Sequence, residues 1–420
     1  MTATEPATEP AAAPAAVPTP ARGRLARLLP EDRVLRRLTW ITLVNTVGNG
    51  LGMTLAAVYF HRILGFGVGT VGAVLTVAGA CGVAAGVPAG RLADRYGCKP
   101  VMMALLAVQA VCAAGYVLVG SLASFVVLAC LVAIADRGAS AARAALFAEV
   151  LAPDARVRGR AYLRSVTNIG ISLGTVGAAA VLQSDSRGAY TLALLADAAS
   201  YGLVAVLYWL LVPVPARTAA QIEQASSGPN PALRDRVYLA ATGLNAVVCL
   251  QFMMIEVGLP LWVVEHTDAP RWMAAGGMLV NTALVIVLQV RATRGTEEPA
   301  AAARVFRRGA LLVAASCLVV ALAADAPAWV AAVVIAAGVA LQALGEVYSQ
   351  AGAWALGYDL AKDGAHGAYQ GVFNTGMSAS MMLGPVLLTS VVLANGLLGW
   401  ALLAAAFAAA GWGMTALVRR

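Results

Sequence analysis

Apolar runs of about 20 residues, the length of helix that crosses a bilayer core, recur along almost the whole of this chain. No other feature constrains the fold as tightly. Lipid offers no water to pair exposed backbone groups, so a segment at that depth must close its hydrogen bonds as a helix or join a barrel. Runs this long exceed a barrel strand of about 9–11 residues. Composition argues against the soluble alternative. Of 420 residues 60% are hydrophobic and 12% charged, whereas a soluble chain carries about 25% charged residues to coat its surface. The fold expected is an all-α membrane protein.

Spans are predicted near 38–60, 68–90, 100–120, 122–148, 160–183, 189–212, 236–263, 270–290, 304–324, 327–357, 367–394 and 396–418, twelve transmembrane helices in all. Pro, Gly and charge mark the joins, as in Gly97-Cys98-Lys99-Pro100 and Gly228-Pro229-Asn230-Pro231. Cytoplasmic loops carry an excess of Lys and Arg, which tests the count. With both termini cytoplasmic, only Arg62, Arg187 and Arg271 of the 29 basic residues fall on the opposite face, and Arg137, Arg143 and Arg164 fall within spans, leaving 23 on the cytoplasmic side. One missed or extra helix would scramble that split. The net charge of +8 is therefore topology, and no nucleic acid partner is expected. Residues 1–37 read as a disordered Ala/Pro/Thr/Glu tail followed by a basic collar of Arg22, Arg24, Arg27, Arg33, Arg36 and Arg37. The tail has no apolar h-region, so a cleavable signal peptide is not expected.

The polar stretch 213–235 divides the spans six and six, and residues recur across it. Thr42, Asn45, Val47 and Met53 match Thr242, Asn245, Val247 and Met253 at an offset of 200. Asn168, Gly170 and Ser172 match Asn374, Gly376 and Ser378 at an offset of 206. Matched runs in paired helices are the mark of duplicated halves. The chain is expected to form two pseudo-symmetric six-helix bundles, 38–212 and 236–420, joined by a cytoplasmic linker at 213–235.

The join between spans 2 and 3 reads Gly90-Arg91-Leu92-Ala93-Asp94-Arg95-Tyr96-Gly97-Cys98-Lys99-Pro100. Gly90 lets span 2 approach a neighbour closely, and Gly97 permits a turn at positive φ. Pro100 suits the first turn of span 3. Asp94 would complement the partial positive charge of a helix N-terminus. The run resembles the signature loop of the major facilitator superfamily, Gly-x-x-x-Asp-Arg-x-Gly-Arg-Lys. It keeps Gly90, Asp94, Arg95, Gly97 and Lys99, with Cys98 in place of the usual arginine. The resemblance implies a secondary transporter whose loop braces span 11 across the two halves and stabilises the outward-facing state. An ordinary basic turn is the plainer reading. The equivalent join after span 8 keeps Arg291, Arg294 and Gly295 but has no aspartate.

Charge at bilayer depth costs about 2.5–3.5 kcal/mol on insertion scales and marks functional candidates. Asp136 and Arg137 lie near the middle of span 4. Their run, Asp136 to Ala142, resembles the family's span-4 arginine motif, associated with proton transfer or substrate binding, with Ala141 where glycine is usual. A cavity role and a structural buried pair both fit Arg137. Glu256 and Glu346 are the other candidates for substrate or proton coupling. Gln342, Ser349 and Gln350 stand at helical spacing from Glu346 and make one polar stripe with it. Asn45 with Asn49, and Asn374 with Gln370 and Ser378, form shorter stripes that suit either a cavity lining or hydrogen bonds between helices. Asp197 resembles a span-6 pattern of siderophore- and drug-exporting members, which implies a structural role. Arg143, Glu149 and Arg164 lie nearer the cytoplasmic ends, where snorkelling or pairing with the signature loop accounts for them.

The resemblance to drug exporters extends in part to span 5, where Gly170 and Gly174 keep the spacing of Gly-x-x-x-Gly-Pro-x-x-Gly-Gly but Thr175 replaces the proline. The function expected is proton-coupled export of a small amphipathic organic compound such as a drug, antibiotic or siderophore-like metabolite. Uptake of a metabolite by a symporter of the same fold is the nearest alternative, and a non-transporting membrane sensor a more distant one. An enzyme is not expected, because His61, His266 and His366 are scattered over loops and no nucleophile–base constellation stands out. Six cysteines show no metal or Cys-x-x-Cys spacing, so no metal, disulfide or cofactor is expected. The partners expected are a small-molecule substrate, protons and membrane lipid. The chain is expected as a monomer in a bacterial inner membrane.

Overall fold

The computed structural model describes residues 30–213 and 229–419. The tail with Arg22, Arg24 and Arg27, the linker residues 214–228 with Arg217, and Arg420 lie outside the described residues. The described chain is helical: α1 (Arg33–Val58), α2 (Val68–Tyr96), α3 (Cys98–Gly115), α4 (Leu122–Val150), α5 (Arg156–Ser184), α6 (Arg187–Leu211), α7 (Arg236–Met253, running on through Leu259–His266), α8 (Met273–Leu288), α9 (Pro299–Ala321), α10 (Ala328–Asp359), α11 (His366–Leu387) and α12 (Gly396–Val418). Among the described residues, nine helical stretches are long and apolar enough to cross a membrane. One of them, His366–Val418, is 53 residues long and holds both α11 and α12.

Local chemistry explains the helix ends. Asp32 accepts from Val34 N at 2.6 Å and Leu35 N at 2.9 Å, capping α1, and Asp235 caps α7 through Tyr238 N. Such caps satisfy N–H groups that the first turn leaves without partners. Gly97 turns the chain at φ +100°, so a single residue separates α2 from α3. Cys98, expected in a loop, therefore opens α3 instead, buried, with its thiol 3.4 Å from Glu149 Oε1. Helices α5 and α9 also begin before the predicted spans, at Arg156 and Pro299. The cause in α9 is a proline at the first helical position, where its fixed φ and missing N–H favour a start. Arginines that the sequence places in joins thus sit on helical turns.

Three π turns, Tyr59–Ile63, Met254–Gly258 and Leu388–Val392, end α1, interrupt α7 and end α11. Those that end α1 and α11 lie at the end of the bundle away from the basic joins, and the one in α7 lies within its helix. The one in α7 carries Glu256.

The order of packing repeats along the chain. Helix α1 lies on α5 and α6, α2 on α4, and α3 on α4 and α6. Then α7 lies on α11 and α12, α8 on α10, and α9 on α10 and α12. Repeat-matched residues share an environment: Asn45 is 3% exposed and Asn245 2%. The match fails at Met53, which is exposed while Met253 is buried. Between the two sets, α2 and α4 meet α11, and α5 meets α8 and α10.

Candidate functional site

The tightest meeting is that of α2 with α11. A Cβ on Gly90 would strike the Gly367 carbonyl and come within 3.0 Å of Gly371 Cα, and one on Gly86 would strike Thr375 Oγ1. Small residues at four-residue spacing let helix backbones touch in this way. One turn further, the buried Asp94 carboxylate accepts from Gly367 N and Ala368 N, each at 2.6 Å. It caps the N-terminus of α11, where backbone donors and the helix dipole both favour an anion. Lys99 of the same loop donates to Val212 O at 2.7 Å and Trp209 O at 3.1 Å, at the C-terminus of α6. The Arg95 guanidinium lies over Tyr96, 5.2 Å from the ring centre.

A second clasp joins α5 to the other set. Arg160 Nη1 donates to Tyr358 Oη and Gln370 Oε1, both at 3.2 Å, and its guanidinium lies 5.3 Å from the centre of the Trp354 ring. Tyr358 Oη in turn donates to Ala144 O at 3.5 Å, and Ser165 Oγ to Ile286 O at 3.3 Å. All of these contacts lie in the part of the bundle nearer the basic joins.

Beyond them, toward the other end, α1, α2, α3, α4 and α6 enclose a cavity of about 370 Å³. Asn49, Asp136 and Arg137 line it, together with Gln109, Asp197 and Tyr201. Arg137 Nε stands 3.6 Å from Asp136 Oδ2. Arg137 also borders a small cleft toward α11 that holds Asn374 and Ser378. Asn45, one turn from Asn49, is buried and its Oδ1 has no hydrogen-bond partner.

The remaining candidates lie elsewhere. Glu346 is 5% exposed. Its Oε2 accepts from Asn281 Nδ2 and Gln342 Nε2, both at 3.2 Å, while Asn281 Nδ2 also donates to Gln342 Oε1 at 2.5 Å. Ser349 and Gln251 extend this network to α7, with Gln251 Nε2 donating to Ser349 Oγ at 3.1 Å. Glu256 is exposed, and its charged neighbours are Arg164 and Glu346. The structure thus brings Asn49, Asp136 and Arg137 together, and sets Gln342 with Glu346 apart from them.

Three charged residues stand in different company from the one the sequence suggests. Arg164 reaches across from α5 to lie over the Phe252 ring of α7 at 5.7 Å. Arg160, counted only as a topological charge, clasps α10 and α11. Asp197 lines the cavity. Its signal was available, since a carboxylate at the centre of an apolar span is a functional candidate by default.

With this geometry in view, comparison with known proteins is direct. Residues 38–385 match the Major Facilitator Superfamily. The chain belongs to that superfamily of transporters. The sequence matches none of the curated proteins. Similar solved structures include a bacterial homologue of the iron transporter ferroportin in its outward-facing state, at 11% identity and a TM-score of 0.72, covering 92% of this chain and 99% of that one. The Escherichia coli fucose:proton symporter FucP superposes with a TM-score of 0.63 at 14% identity, over 92% and 97% of the two chains. The human organic anion transporter MFSD10 gives 0.62 at 17% identity, over 92% and 99%. At such identities the likeness is one of fold.

Proposed function

We propose that this chain is a proton-coupled exporter of a small amphipathic organic compound, working by alternating access between two six-helix bundles, 38–212 and 236–420. In this reading it crosses a bacterial inner membrane twelve times as a monomer, with both termini cytoplasmic. The three crossings beyond the nine long apolar stretches come from α8, from α9 and from the division of His366–Val418. The observation that carries the reading is the separation of clasp and cavity. Asp94 and Arg160 hold the halves together near the basic joins, while a cavity with buried charge lies beyond them, as an outward-facing transporter requires. Among Asp136, Glu256 and Glu346, a carboxylate exchanges its proton for substrate. The cavity's apolar wall, with Met53, Leu75, Tyr116 and Leu194, suits an amphipathic ligand.

Inverted membrane vesicles with an imposed proton gradient and a pH-sensitive dye test this. Lipophilic cations, neutral antibiotics and siderophore-like compounds would be added in turn to wild type and Glu346→Gln. Collapse of the gradient by a compound in wild type, and its loss in Glu346→Gln, is the expected result. No response to any compound by correctly inserted wild type would overturn export.

A further inference from the structure

We propose that the cavity among α1, α2, α3, α4 and α6 is a cation site anchored by Asp197, and that it takes the protonated amine of an amphipathic substrate. This rests on the transport reading and adds the charge class of the ligand. Asp197 is 7% exposed, lines the cavity, and its Oδ1 has no hydrogen-bond partner. Asn49, on the same lining, likewise leaves its Oδ1 without a donor. Two buried acceptors without donors are costly unless something supplies N–H groups. The other charges on this lining do not supply them. Arg137 stands beside Asp136, so that pair balances itself and leaves Asp197 without a cationic partner on the lining.

The surroundings of Asp197 are built to hold it there. Its carboxylate lies against α1 at two glycines: a Cβ on Gly52 would strike Asp197 Oδ2, and one on Gly48 would come within 3.0 Å of Oδ1. Tyr201, one turn along α6, donates a hydrogen bond to this carboxylate, which leaves Oδ1 as the oxygen without a partner. A buried carboxylate held without a cationic partner is unfavourable, and a ligand ammonium would relieve that while its apolar part fills the rest of the cavity. The volume of about 370 Å³ falls within the range of small-molecule sites. Neutral and anionic compounds gain nothing from this arrangement.

The test is binding to the purified full chain in nanodiscs, with empty nanodiscs as reference and no gradient. Dansyl cadaverine, a fluorescent primary ammonium, is the probe, and dansyl amide its neutral counterpart. Two variants separate the carboxylate from the space. Asp197→Asn keeps the shape and removes the charge. Gly79→Leu fills the cavity, since Gly79 lines it and a Cβ there meets nothing within 4 Å. Expected are saturable binding of the amine to wild type, at least a tenfold loss in each variant, and little binding of the amide. Asp154→Asn, exposed in the turn between α4 and α5 and outside the cavity, should change the affinity less than threefold. Binding of the amide as tight as the amine, an unchanged affinity in Asp197→Asn, or no saturable amine binding to folded wild type would each overturn the proposal. Because no transport is measured, amine binding without a vesicle response would sink the export reading alone.

Discussion

Replacing Asp94 by asparagine asks how much of the closure between halves rests on one carboxylate. The group is 3% exposed and accepts two backbone N–H bonds of 2.6 Å at the first turn of α11. Hydrogen bonds to a charged group contribute about 1.5–3 kcal/mol each. Asparagine has the same shape, but it keeps one acceptor oxygen and turns an NH₂ toward the second donor. It also gives up the favourable interaction with the helix dipole, about 0.3–1 kcal/mol in ordinary settings. The loss is then about 2–4 kcal/mol, or about 30- to 700-fold in the equilibrium between clasped and released halves. Spin labels at Leu92→Cys and Lys362→Cys, in a background without the native cysteines, would read the separation of the basic ends by pulsed EPR. Both sites are exposed. Wild type should show one short separation, and Asp94→Asn a second, longer population. Superimposable distributions in two equally stable proteins would refute the reasoning.

Two further substitutions probe the same closure. Gly90→Ala puts a methyl against the Gly367 carbonyl and should cost about 1–3 kcal/mol as overpacking does, seen as a lower Tm and a longer Leu92–Lys362 separation. Arg160→Lys keeps the charge but loses the planar fork that reaches Tyr358, Gln370 and the Trp354 ring together. It should release the α5 clasp in the same EPR measurement, while Arg158→Lys, on the exposed face of the same turn, should not.

What the sequence made legible was mostly local. Apolar length places the helices to within about two turns, and the chemistry of one loop foretells the positive φ at Gly97 and the docking of Asp94 on a helix N-terminus. The misses have a common cause. Whether Asp136, Asp197 or Glu346 stands paired or bare depends on residues far away in the chain. Arg137 lies next to Asp136 in sequence, but the donors to Glu346 come partly from Asn281, and the notch around Asp197 from Gly48 and Gly52. Arg164 reads as a residue near a cytoplasmic end because distance along a helix is all that periodicity reports. Its reach to Phe252 depends on how α5 docks on the second set of helices through α8 and α10. Offsets of 200 and 206 hint that packing repeats, but they do not say that Met53 is left exposed where Met253 is buried.

The glycines along α2 and α11 have a mechanical consequence. Helices that interdigitate behave like cogs: every tooth must swing out of its rotamer well before the shafts separate. Gly86, Gly90, Gly367 and Gly371 give this seam no teeth. The two rods can peel apart or roll with little re-sorting of side chains, Thr375 against Gly86 being the exception, so the seam itself offers little friction. What latches the two sets of helices sits at the rim, in the few polar bonds of Asp94 on this seam and of Arg160 beside it, and a latch of that kind opens all at once.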